Sequence, residues 1–207
     1  DSTYIQIIDF EPTVTVIVGL YNYLFILLLM LPMLFINKKA VNIAAGILSL
    51  AAFAFYLAYY YYEFISVRNA YLMGDGAKYS HFFMHYIIGL IMIAVVYIGQ
   101  HCFKRINTSK QWIGLLSVAY LVGVLTTVVS CEIIHIMVID KYQQGMLVAQ
   151  TIDRARALPF TILWASVSLV LMIAGIIFRM KNYRIVSLLL FFITLFKLFI
   201  YDFRRID

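Results

Sequence analysis

Two short-range pairs carry the residue types that acid–base and metal chemistry require. His81 and His85 stand four apart and Glu132 and His135 three apart, so on helices each pair shares a face. Glu-x-x-His is the spacing by which di-iron helix bundles present a carboxylate beside an imidazole. Together His81, His85, Glu132 and His135 would offer three nitrogens and one oxygen, a donor set suited to a zinc-like or iron-like ion. The plainer reading is stronger: interfacial histidines hydrogen-bond to headgroups, water or backbone, and a Glu-His pair serves as a polar contact between helices. No His-Glu-x-x-His, Cys-x-x-Cys or Cys-x-x-Cys-His occurs, and no cofactor is indicated.

The third chemical candidate is a lone cation. Lys197 interrupts the apolar run Ile185–Tyr201, and Asp202 follows at once. An ammonium at the centre of a bilayer costs roughly 2.5 to 3.5 kcal/mol, so it needs a short route to the interface or a partner. Three readings compete, with the first leading: Lys197 snorkels outward, pairs with an acid such as Glu132 or Glu63, or binds an anionic substrate group. Asp202 lies five residues on, beyond the usual helical pairing distance. Glu63, His85, Glu132, His135, Lys197 and Asp202 therefore form a candidate polar cluster for a substrate or ion, and His81, His85, Glu132 and His135 are its weak metal-ligand candidates.

These residues must be positioned by membrane helices. Hydrophobic residues make up 64% of the 207 and charged ones 13%, against roughly 45 to 50% and 25% in soluble domains. Six apolar segments approach the length of about 20 residues that a spanning helix needs: 14–36, 41–65, 82–103, 112–136, 158–178 and 185–201. They are continuously apolar rather than alternating, which favours helices over a barrel. The expected fold is all-α, a polytopic transmembrane helix bundle with about six spanning helices, forming a single domain over residues 1–207. Pro32 predicts a local kink near the end of the first span. Ala44, Ala45, Gly46, Ser49, Ala51, Ala52, Ala54 and Ala58 predict close helix approach and an interior place for the second. Tyr59, Tyr60, Tyr61 and Tyr62 read as an aromatic belt.

The net charge of +6 does not point to nucleic acid, because the basic residues sit in twos and threes between apolar runs. Lys38 and Lys39, then Lys104, Arg105 and Lys110, then Arg179, Lys181 and Arg184 occupy three tight connections without acids. Taken as cytoplasmic, those loops put both visible ends of the chain outside. Cys102 and Cys131 then fall at opposite ends of their spans, too far apart for a disulfide. No signal peptide is visible, and the chain opens on Asp1 rather than Met, as a fragment or processed chain would. The connection from Asp140 to Ala157 is a candidate lid or substrate-binding segment, although the stronger reading is that charges beside a membrane end are ordinary solvated anchors. Phosphate-cradling glycine loops and nucleophile elbows are absent from the sequence.

Four segments carry a family resemblance: Ser130-Cys131-Glu132-Ile133-Ile134-His135, Leu163-Trp164, Lys181-Asn182-Tyr183-Arg184, and Thr194-Leu195-Phe196-Lys197-Leu198-Phe199-Ile200-Tyr201-Asp202. From Ser130 onward the chain resembles the bacterial membrane proteins grouped as domain of unknown function 2339, whereas the first half matches only in general character. The long Asp140–Ala157 connection departs from the family's pattern. Members are usually longer and continue past Tyr-Asp into another span. The resemblance thus implies the C-terminal portion of a longer multi-pass protein of the bacterial cytoplasmic (inner) membrane, and names a relative rather than a reaction. The expected function is a non-enzymatic structural or accessory subunit packing with other membrane proteins in the lipid bilayer. A transporter or channel component with an outer polar cavity is the alternative, and a metal-dependent envelope enzyme the weaker one.

Overall fold

The computed structural model describes residues 11–74, 77–106, 111–143 and 148–202. Both ends of the chain, on which the outward orientation was expected, lie outside the described residues. The chain divides into two compact units, Asp1–Asn107 and Thr108–Asp207. The described residues contain no strand, and six helices are long and apolar enough to cross a membrane, as in a multi-pass membrane protein.

In the first unit, α1 (Glu11–Met30) ends in a 3-10 turn, Leu31–Leu34, with Pro32 in its first positions. Proline has no N–H to give the preceding turn, and the tightening is the local response to its presence. The second span is longer than expected. α2 (Lys39–Phe55) passes through a π-helical turn, Tyr56–Tyr60, into α3 (Tyr61–Met73), which Gly74 terminates in the left-handed region at φ 77°. α4 (Tyr79–Lys104) completes the unit and packs against α1, α2 and α3.

The small residues of α2 divide by helical phase. Ala45, Gly46, Ser49 and Ala52 are buried, whereas Ala44, Ala51, Ala54 and Ala58 are exposed. A Cβ on Gly99 of α4 would stand 2.3 Å from Ser49 Oγ and 3.1 Å from the Ala45 carbonyl, so glycine is what permits this approach. The interior place expected for the second span is corrected, because 28% of its most apolar window is buried against 50% for α4. The tyrosine belt is corrected in part: Tyr59 and Tyr62 are exposed, but Tyr60 is 2% exposed. Ala52, Tyr56, Tyr60 and Phe64 are all buried at successive four-residue steps. At 100° per residue each such step drifts about 40° around an α-helix, and the wider π turn absorbs that drift.

In the second unit, α5 (Gln111–Gln143) has 33 residues. At 1.5 Å per residue it is about 50 Å long, against a hydrocarbon core of about 30 Å, so it continues past the span expected from sequence. The segment expected as the Asp140–Ala157 loop is mostly helix: α5 runs to Gln143, and α6 (Val148–Arg156) precedes α7 (Leu158–Ile177). α6 buries Thr151 and Ala155 while exposing Gln150, Asp153, Arg154 and Arg156, as an interfacial helix does. α8 (Lys181–Lys197) returns along α7 and ends in a π-helical turn, Leu198–Asp202. Val118, Val122 and Val186 form a core cluster against Val167, Leu171 and Leu190.

The α7–α8 turn is closed by two crossed bonds. Met180 N–H donates to the Gly175 carbonyl at 3.0 Å and Arg179 N–H to the Ile176 carbonyl at 3.2 Å, with Arg179 in the left-handed region at φ 53°. This is the Schellman closure, with arginine where glycine is usual.

Candidate functional site

The sequence-predicted residues fall into both units. In the first, Glu63 is half-buried on α3, and His81 and His85 lie on α4. His81 lies in the first turn of that helix, and its Nδ1 accepts the Lys78 N–H at 3.4 Å. His85 is 1% exposed and does the opposite: its Nδ1–H donates to the Phe82 carbonyl. Its ring is packed against Phe82, Tyr86 and Phe64 at centroid separations of 4.2, 3.9 and 5.6 Å. Arg68, fully buried, donates from Nε and Nη2 to Asn69 Oδ1 at 3.2 and 2.8 Å.

In the second unit, Glu132 is half-buried and His135 is 1% exposed, and both are engaged in interactions. Among the described residues no group of three or more His, Cys, Asp or Glu could hold a metal ion. Cys102 and Cys131 are both buried free thiols. Asp202 closes the π turn after Lys197, and its side chain lies outside the described residues.

Lys197 has two partners besides those weighed for it. Its Nζ donates to the Ala157 carbonyl at 3.1 Å and to Thr161 Oγ1 at 2.7 Å. Ala157 is the break between α6 and α7, with ψ −110°, and Pro159 two residues later has no N–H to continue the ladder to Ala155. Thr161 adds its own N–H and hydroxyl to the Ala157 carbonyl at 3.4 and 3.2 Å. A backbone carbonyl at a helix break is best satisfied by donors from the protein, and the lysine supplies one. The ammonium is thereby tied to the start of α7, and α8 is anchored there.

Trp164, one turn further along α7, donates from Nε1 to Ser130 Oγ at 3.0 Å, and the Ser130 hydroxyl donates to the Thr126 carbonyl at 2.7 Å. Two grooves adjoin these ties. One, of about 520 Å³, is lined by Arg156, Phe160, Trp164, Ile193, Phe196 and Lys197. The other, of about 480 Å³, runs between α7 and α8 over Ala165, Ser166, Ser168 and Leu169 on one side and Ser187 and Phe191 on the other. Ser168 donates its hydroxyl to the Ser187 carbonyl at 2.9 Å, yet Ser187 Oγ itself, fully buried, has no hydrogen-bond partner.

Sequence reasoning placed Arg156 only within the candidate lid or substrate-binding segment, and it missed Phe160, Ser168 and Ser187. A signal existed for Phe160: it stands four residues before Trp164, which places two aromatic rings along one helical face. Lone serines in apolar helices carry no comparable signal. No family model, curated protein or solved structure matches the chain.

Proposed function

We propose that the chain is a non-enzymatic accessory subunit of a bacterial cytoplasmic membrane complex, and that a transmembrane helix of a partner protein docks on the α7–α8 hairpin. The observation that carries this reading is the groove that Ala165, Ser166 and Ser168 line between α7 and α8. Lipid tails are as apolar as leucine, so helices in a bilayer associate through close van der Waals approach and hydroxyl bonds, both of which small residues and serines provide. The most apolar windows of α7 and α8 are each only 17% buried, against 50% for α4 and α5, which leaves the hairpin the most accessible pair of spans. The three basic connections support an orientation with the α6–α7 junction on the outer side. The resemblance to longer multi-span proteins supports a place among further helices.

The test is purification of the natural assembly in mild detergent. A defined partner should be lost from Ala165→Leu and Ser166→Leu, which fill the groove, while the chain's own melting temperature is unchanged and Glu132→Gln still assembles. Retention of the partner with the groove filled would refute the docking site. Loss of function in Glu132→Gln with assembly intact would point to chemistry instead.

A further inference from the structure

The groove beside the α6–α7 break shares no lining residue with the hairpin groove and has a different chemistry. Among the described residues its lining comprises two cations, Arg156 and Lys197, and four apolar side chains, Phe160, Trp164, Ile193 and Phe196; Asp153 belongs to the preceding turn of α6. The two kinds of residue are sorted along the helices. Arg156 ends α6, and Lys197 is bonded to Ala157 and Thr161 at the very start of α7. Phe160 and Trp164 follow one and two turns into the apolar span, and Ile193 lies one turn before Lys197 on the returning α8. The charged end is therefore the helix-end side, and the apolar end points along the spans.

We propose that this groove binds one anionic phospholipid, its headgroup phosphate between Arg156 and Lys197 and the first part of an acyl chain on Phe160, Trp164, Ile193 and Phe196. Arg156 is exposed and presents a planar donor fork suited to phosphate oxygens. Lys197 is held at the rim by the Ala157 carbonyl and the Thr161 hydroxyl, which fix its position. The Trp164 ring is fixed by its bond to Ser130 and lies 6.3 Å from Phe160 at an interplanar angle of 27°, so the aromatic wall is preformed. A basic pocket between spans at headgroup level with an apolar floor is what an acidic lipid recognises. At about 520 Å³ the groove takes a headgroup and part of one chain rather than a whole lipid.

The chain has two tryptophans, so Trp112→Phe leaves Trp164 as the sole indole reporter. In that background, reconstituted into phosphatidylcholine vesicles, acyl-brominated phosphatidylglycerol should quench Trp164 at lower mole fraction than acyl-brominated phosphatidylcholine. Each cation near the surface favours an acidic lipid enough that Arg156→Gln should reduce the preference by about fivefold. Lys197→Arg, which keeps the charge, should preserve it. Equal quenching by the two lipids, or a preference unaltered in Arg156→Gln, overturns the proposal. So does displacement of the brominated lipid by excess inorganic phosphate, which would mark a site for the free anion.

Discussion

The two units hold their helices together by different means. In the first, rings carry the contacts: Tyr23 meets Tyr56 and Tyr60 edge-on at 6.3 and 5.4 Å, and Phe64 stacks on Tyr60 at 6.2 Å. Glycines make room for this packing, for a Cβ on Gly19 would stand 2.3 Å from Tyr60 Cε1. The polar ends of these rings are satisfied locally, Tyr23 donating to the Ala52 carbonyl at 2.7 Å and Asn22 to Tyr60 at 3.0 Å. In the second unit the connections are discrete polar ties, Trp164 to Ser130, Ser168 to Ser187 and Lys197 to Ala157 and Thr161. Close packing of rings leaves little room for added volume. Polar ties brace helices at points and leave grooves between them, and both grooves described above lie in the second unit.

The difference predicts opposite sensitivities. The largest effect belongs to added volume in the first unit: Gly99→Leu would drive a side chain into Ser49 and the Ala45 carbonyl, at a cost of about 3 kcal/mol or more. Thermal unfolding in detergent should show it, and near-wild-type stability would mean that α2 and α4 do not pack so closely. Next comes removal of the cation in the second unit. Lys197→Met deletes two charge-assisted bonds and should cost about 2 kcal/mol, partly restored in Lys197→Arg, as read by denaturant titration. If methionine is as stable as lysine, the ammonium does not brace α8 against α7.

A smaller effect attaches to the indole tie. Trp164→Phe and Ser130→Ala should each cost about 1 kcal/mol, and the double variant should cost less than their sum, because both remove the same bond. Strict additivity would disprove the tie. The smallest effect has the reverse sign. Arg179→Gly should stabilise by about 0.5 kcal/mol, since glycine adopts the left-handed turn without the Cβ penalty that arginine bears there. An unchanged or lower melting temperature would show that the arginine side chain offsets its own backbone cost.

The residues themselves show which parts of this were legible. Continuous apolar runs reveal spans because nothing but a helix satisfies a backbone in lipid, and all six expected spans coincide with helices. Boundaries were less legible: α5 and the second span both continue through polar residues that hydropathy excludes, such as Asp140 and Arg68. Lys197 was visible as a costly charge, but its partners were not. Ala157 offers a backbone carbonyl, which every residue has, and Thr161 is an ordinary residue 36 positions away.

By itself, the sequence determined the helical class, the number of apolar spans and the presence of a cation that had to be accommodated, since these follow from transfer energies summed over consecutive residues. Tertiary structure alone decided which serines meet, which of eight small residues on the second span face a neighbour, and that the lysine caps a broken helix beside a second cation. Those outcomes depend on helical phase, on a π turn that resets it, and on where Pro159 interrupts a backbone ladder. No local property of the chain encodes what stands opposite each of them.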